Sequence, residues 1–125
     1  IAVAGGTRCT EIEAHRARTP QQRAIAMAFT QSGIPTAQAL HEARQAFPDL
    51  PLIASGGIRD GIDAAKAIRL GAQWVGQAGA TLESALTSTE AVVDHCKVLI
   101  EQLRIACFCT GSADLQELRR ARLRG

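Results

Sequence analysis

Within a chain of 125 residues, the stretch Ser55-Gly56-Gly57-Ile58-Arg59-Asp60-Gly61 brings together residue types that can hold an anion. Two adjacent glycines allow backbone angles, and a closeness of approach, that any side chain would obstruct. Asp60 stands where a helix N-cap belongs, and Ile62, Ala65, Ile68 and Ala72 follow at helical spacing. A helix start just past a glycine turn presents unpaired backbone N–H groups and the positive end of the helix dipole. Arg59 adds a fixed charge able to fork onto a phosphate. These residues point to an anion site, with phosphate the best-fitting ligand.

Several function classes are excluded by composition. Fourteen basic against twelve acidic residues leave a net charge of +2, too balanced for a nucleic-acid or membrane-surface binder. The aromatic residues are Phe29, Phe47, Phe108 and Trp74, too few for base-stacking platforms. No apolar run approaches the roughly 20 residues of a spanning helix, and no leader pattern opens the chain. At 46% apolar residues the chain can bury a core as one domain or part of one. The cysteines Cys9, Cys96, Cys107 and Cys109 form no CxxC pair and stand at no zinc-finger spacing from a histidine. Cys96 and Cys107 fall in an apolar helical pattern and are expected to be reduced packing residues, and a cytoplasmic location is expected.

The elements that would position the anion site read as follows. Ile1–Ala4 is a strand end, and Gly5-Gly6-Thr7 is a second place where backbone could approach a ligand. Glu11, Glu13 and His15 alternate with Ile12 and Ala14 and read as an exposed turn rather than a metal cluster. Thr19 caps a helix with Pro20 at its first position; Ala24, Ile25, Met27, Ala28 and Phe29 are its apolar residues. Thr36 is the expected N-cap of a helix over 37–47 whose face is Ala39, Leu40, Ala43 and Phe47, with His41 on the surface.

Leu52, Ile53 and Ala54 form a short apolar run, the pattern of a strand covered on both faces. The following helix over 60–70 ends at Gly71. Residues 73–77 are a second strand, and Ala78-Gly79-Ala80 repeats the small-residue device before a short helix over 80–86. A capping box in Thr87-Ser88-Thr89-Glu90 opens a long helix to about 107, with Val92, Cys96, Leu99, Leu103 and Ala106 as its buried stripe. Ser112 caps a last helix anchored by Leu115 and Leu118. Arg119, Arg120, Arg122 and Arg124 are solvated charges at its C-terminal end.

Strands alternating with helices predict an α/β fold with a parallel sheet. Two successive strands, 51–55 and 73–77, both end in Gly or Ala clusters ahead of helix starts. In a (β/α)8 barrel the loops after the last two strands frequently build a phosphate site with a short extra helix, which residues 80–86 would supply. A barrel takes about 250 residues, so this chain would hold about half of one: residues 1–125 as its C-terminal portion, with the last three βα units, the first strand truncated, and a C-terminal helix.

The motif Leu52-Ile-Ala-Ser-Gly-Gly-Ile-Arg-Asp-Gly61, followed by Ala64-Ala-Lys-Ala-Ile68, Leu70-Gly-Ala72 and Val75-Gly-Gln-Ala-Gly79, resembles the FMN-binding TIM barrels. Gly5-Gly-Thr7 with Ile12-Glu13, Gly33-Ile-Pro-Thr36, and Leu103-Arg-Ile-Ala-Cys-Phe-Cys-Thr-Gly111 ahead of Leu115-Gln-Glu-Leu118 narrow the resemblance to the C-terminal part of type 2 isopentenyl-diphosphate isomerase. It covers nearly the whole chain in order and spacing.

That resemblance implies an isomerase interconverting isopentenyl and dimethylallyl diphosphate on reduced FMN, with NADPH keeping the flavin reduced and Mg²⁺ holding the diphosphate. By position, Gly57, Ile58 and Arg59 would bind the FMN phosphate through backbone N–H groups, Ala78 and Gly79 would do so from the next strand end, and Thr7 would contact the flavin. No catalytic or metal-binding residue is assigned to this chain, since those of the family lie in the N-terminal half. A homo-oligomer of the full-length protein is expected, with neither nucleic acid nor membrane as partner. Departures from the family pattern are Ala2 for a serine, Val3 for a glycine, and Arg8 and Cys9 where a small polar and an aromatic residue are usual; Arg8 is expected to face solvent. Two other readings stay open: another FMN barrel (a 2-hydroxy-acid oxidase or glutamate-synthase-like oxidoreductase) and a non-catalytic half-barrel.

Overall fold

The computed structural model describes residue 5, residues 8–30 and residues 32–122. The expected strand end at Ile1–Ala4 and the flavin contact Thr7 lie outside the described residues. In chain order the elements are α1 (Cys9–Arg16), α2 (Pro20–Ala28), α3 (Thr36–Ala46), β1 (Ile53–Ser55), α4 (Gly61–Arg69), β2 (Trp74–Gly76), α5 (Gly79–Thr87), α6 (Thr89–Cys109) and α7 (Leu115–Leu118). β1 and β2 pair in parallel, Ile53 with Trp74, Ala54 with Val75 and Ser55 with Gly76. Two parallel strands joined through α4 make the α/β character direct.

Coverage of β1 is one-sided. Ala54 is fully buried and Leu52 nearly so, both in a cluster with Leu40 and Ala43 of α3 and Ala64 and Ala67 of α4. Ile53 and its partner Trp74 are each 58% exposed. Side chains alternate across a strand, so Leu52 and Ala54 meet the helices while Ile53 faces the other way. The expectation of burial on both faces fails because α3 and α4 both lie on one face among the described residues.

Helix α4 is the hub. Ala64 and Ala67 face α3 and β1, while Ala65 and Ile68 join a second cluster with Leu118 of α7 and Leu103, Ala106 and Cys107 of α6. Its alanines permit close approach on two sides. Gly61 carries this furthest, because a Cβ there would fall 2.4 Å from Gln102 Cβ and 2.6 Å from the Leu103 nitrogen. Gly71 ends the helix at φ +110°, as its C′ role requires. Opposite it, the Arg44 guanidinium donates to the Gly71 carbonyl at 2.6 Å and to Gln73 Oε1 at 3.4 Å. Gln73 Oε1 also accepts from the Leu52 N–H at 2.7 Å, tying α3 to the start of both strands.

Five local expectations are corrected. Residues 9–16 are a helix rather than a turn, though Glu11 and Glu13 are exposed as expected, paired with Arg8 at 3.4 Å and Arg16 at 3.9 Å; each carboxylate and its arginine sit three residues apart, the neighbour spacing of a helix. The cap of α2 is Thr19, its Oγ1 accepting from the Gln22 N–H at 3.1 Å, but Ile25, Met27 and Phe29 are exposed, since α2 has only α1 as a principal neighbour. Cys96 is exposed rather than part of the α6 stripe; His95 takes that position, because the inward line runs through 92, 95, 99, 102–103 and 106. Phe47 lies beyond the last turn of α3 and is exposed. Asp114, not Ser112, caps α7, accepting from the Gln116 and Glu117 N–H groups at 2.8 Å each, while the Ser112 hydroxyl is paired with Thr110 at 2.9 Å. Helix α6 is capped by Ser88, which accepts from Ala91 N–H at 3.1 Å.

Candidate functional site

Parallel pairing puts the C-terminal ends of β1 and β2 at the same end of the sheet, with Ser55 opposite Gly76. Both junctions named by the sequence therefore open side by side. From β1 the chain passes through Gly56 and Gly57, at φ +97° and +77°. That left-handed region costs a side-chain-bearing residue about 1–2 kcal/mol, so the turn is one for glycine. Gly5 lies against it: a Cβ on Gly5 would sit 2.1 Å from the Gly56 carbonyl carbon. Gly5 and Gly56 thus touch backbone to backbone.

Thr36 departs from its expected role. Pro35 occupies the N-cap of α3 and makes no side-chain cap, and Thr36 is the first helical residue. Its hydroxyl instead donates to the Gly56 carbonyl at 2.8 Å, from a half-buried position.

The start of α4 also differs from expectation. The sequence predicts free N–H groups here, but they are consumed. Asp60 Oδ1 accepts from the Ile62 and Asp63 N–H groups at 2.9 Å each, and Gln102 Oε1 on α6 accepts from the Gly61 N–H at 2.8 Å. Asp63 Oδ2 receives the Arg59 N–H at 3.3 Å and the Arg59 Nε at 2.9 Å. That hydrogen bond and charge hold the Asp63 carboxyl below the usual carboxylate range, against partial burial, and raise the Arg59 guanidinium further. The N–H groups of Gly57 and Ile58 have no acceptor among the described residues.

The β2 junction is left open. Ala78 sits at the N-cap of α5 with no side chain able to cap it. The Gly79 and Ala80 N–H groups have no acceptor among the described residues, and a Cβ on Gly79 would meet nothing within 4 Å. Beside them Gln77 Oε1 accepts from Thr81 Oγ1 at 3.2 Å and pairs with His95 Nε2 at 2.8 Å.

So Gly57 and Ile58 follow one strand and Ala78 and Gly79 the other at the same end of the sheet, Arg59 comes next after Ile58 with its N–H already engaged, and Thr7 lies outside the described residues. His15 on α1, His41 on α3 and Arg8 just before α1 are exposed. Of the C-terminal arginines, Arg120 and Arg122 are exposed and Arg119 half-buried, while Arg124 lies outside the described residues. Among the described residues no three His, Cys, Asp or Glu side chains converge as a metal site, and no helix is long and apolar enough to cross a membrane. Sequence reasoning missed Thr36 and Gln102. Both act across long separations, 20 and 41 residues, where no local spacing rule applies.

Comparison with known proteins shows what the chain is similar to. Isopentenyl-diphosphate delta-isomerase of Cronobacter sakazakii is 63% identical over 123 residues, covering 98% of this chain and 35% of that protein. The protein of the same name from Stutzerimonas stutzeri is 65% identical over 123 residues, covering 98% and 36%, and that of Xanthobacter autotrophicus 62% over 123 residues, again 98% and 36%. The chain spans about a third of the length of these relatives. The FMN-dependent dehydrogenase family profile matches residues 30–125, three quarters of the chain and the whole of both junctions. The chain belongs to the FMN-dependent dehydrogenase family.

Proposed function

We propose that residues 1–125 are the C-terminal part of an FMN-binding (β/α)8 barrel and supply the phosphate end of its flavin site. The observation that carries this is the juxtaposition of two unspent donor sets, Gly57–Ile58 and Gly79–Ala80, at strand ends paired through Ser55 and Gly76. A phosphate monoester offers oxygens that want several N–H donors and has no need of a side chain between them. The fit is good on both counts, since a Cβ on Gly79 would meet nothing within 4 Å among the described residues and the first turn of α5 carries no carboxylate. Gly57, Ile58, Ala78 and Gly79 would donate through the backbone. Arg59 would contribute charge, because its N–H already donates to Asp63, and Thr7 would meet the flavin.

The whole protein is then an isopentenyl-diphosphate delta-isomerase of the flavin-dependent, type 2 class, acting on a small-molecule diphosphate with Mg²⁺ bound and NADPH keeping the flavin reduced. Identity above 60% to relatives of that name supports the assignment. Reduced FMN supplies the acid–base group of the reaction when bound. This chain's own part is to bind and orient: it fixes the phosphate, and with it the register of the ring. The catalytic and Mg²⁺-binding residues are then in the N-terminal part, and a cytoplasmic homo-oligomer is the expected state.

The test is the full-length protein carrying these residues. It should purify yellow, release FMN on denaturation, and isomerise isopentenyl diphosphate under reducing conditions with Mg²⁺. A colourless protein with no released FMN would overturn the reading. The family match itself favours a second reading, an FMN-dependent oxidoreductase; a net redox product from a 2-hydroxy acid would establish it. Against it, His95 is bound to Gln77 while His15 and His41 are on the surface, so no histidine among the described residues pairs with an arginine at the strand ends.

A further inference from the structure

We propose that Thr36 is a positioning residue for the phosphate site, locking the Gly56–Gly57 peptide so that its N–H points at the ligand. The inference rests on the reading of this end of the sheet as an FMN phosphate site.

A peptide unit is planar and trans, so the Gly56 carbonyl and the Gly57 N–H belong to one plate and point in opposite directions. Between two glycines that plate is easily turned over, because neither residue is penalised for changing the sign of φ. The turned-over form would present a carbonyl oxygen to the ligand, and an anion would be repelled where it should be bound. Something must therefore hold the plate one way up. The Thr36 hydroxyl donates to the Gly56 oxygen at 2.8 Å. Because it pins the oxygen on the α3 side, the Gly57 N–H is directed to the opposite side, where it has no acceptor among the described residues. A bond to one end of a peptide also polarises the other end, which makes that N–H a stronger donor.

Two further observations agree. A Cβ on Gly56 would meet the Thr36 Oγ1 and the Gly5 Cα at 3.3 Å each, so Gly56 sits in a slot between the hydroxyl and Gly5. And α3 carries no side-chain cap although a threonine stands at its start: the hydroxyl is committed to the loop rather than to its own helix. Capping α3 would require Thr36 one position earlier relative to the helix, where Pro35 stands.

The experiment measures dissociation constants of FMN and of riboflavin, which lacks the phosphate, for the full-length protein and its Thr36→Val and Thr36→Ser variants. Thr36→Val keeps the shape and removes the donor. It should weaken FMN about tenfold, the equivalent of one hydrogen bond of about 1.4 kcal/mol, and leave riboflavin affinity unchanged. Thr36→Ser should restore FMN affinity to within about twofold, as one hydroxyl replaces the other. Equal losses for FMN and riboflavin in Thr36→Val, or no loss of FMN, would overturn the inference by making Thr36 a packing residue. If the unsubstituted protein binds FMN no better than riboflavin, it is the phosphate-site reading that fails, an outcome separate from any effect of the variants.

Discussion

From β1 the chain uses residues 56–60 to reach α4; from β2 it uses only residues 77 and 78 to reach α5. Both routes leave the same end of the two-stranded sheet. The longer route satisfies its own helix, with Asp60, Gln102 and Asp63 accepting the N–H groups of Ile62, Asp63, Gly61 and Arg59. The shorter route supplies no side-chain cap, because the Ala78 side chain has no polar atom; its carbonyl accepts from the Thr81 N–H at 3.1 Å, and the Gly79 and Ala80 N–H groups are left without an acceptor among the described residues. Unpaired donors at a helix start are tolerated only where water or a ligand meets them. The difference separates two kinds of helix start: at the β1 junction the first N–H groups of α4 are held by internal bonds, while at the β2 junction the Gly79 and Ala80 N–H groups have no acceptor among the described residues.

Substitutions can break that comparison. The largest effect is expected at Gly61→Ala, since the new methyl must push α6 away from α4; overpacking of this kind costs about 3 kcal/mol. Thermal unfolding of the full-length protein should show a drop in Tm, with FMN affinity falling only as far as the fold loosens. An unchanged Tm would mean that the close approach of Gly61 to Gln102 has no energetic weight.

Ala78→Asp gives the open junction what the closed one has. The carboxylate would cap α5, adding about 1 kcal/mol to stability, while occupying the donors and repelling phosphate. FMN affinity should fall at least tenfold as Tm rises. A rise in Tm with FMN affinity intact would show that α5 takes no part in the cofactor site.

Asp60→Ala is the converse. Loss of the α4 cap should cost about 1 kcal/mol, measured by denaturant unfolding, with FMN affinity within about twofold because the Asp60-bound N–H groups are not those offered to the ligand. A tenfold loss of FMN would return α4 to the role that the sequence suggested for it.

The smallest effect concerns pH. The Asp63 carboxyl is held below its usual range by the hydrogen bond and charge of Arg59. A group whose folded pKa is depressed contributes stability above its unfolded pKa and loses it as pH falls through the folded value. Asp63→Asn should therefore lower stability slightly at neutral pH and converge with the parent protein in acid, a flattening of the acid limb measurable by thermal unfolding between pH 7 and pH 3. With the Arg59 side chain 78% exposed, screening keeps this contribution small.

Much of this layout is legible in local sequence. Asp60 reads as a cap from its place before Gly61 and the apolar spacing of α4, and the structure bears that out. Gly71, Thr19 and the short helix at α5 follow from rules that span a few residues. The same rules misread Thr36, because a threonine at a helix start looks like a cap whether its hydroxyl turns to its own helix or to a loop 20 residues away. They also read the α4 start as open, because Gln102 is 41 residues distant and leaves no trace beside Gly61.

What the sequence determined by itself is where the glycine turns fall, since positive φ at Gly56 and Gly57 is a property of those residues and their neighbours. It also determined that strands precede helices twice in succession. Which helix start keeps its first N–H groups without an acceptor among the described residues was decided only in three dimensions. A backbone donor is free or spent according to the acceptors that packing brings to it: α6 brings the Gln102 side-chain oxygen to the Gly61 N–H, while no acceptor among the described residues is brought to the Gly79 N–H.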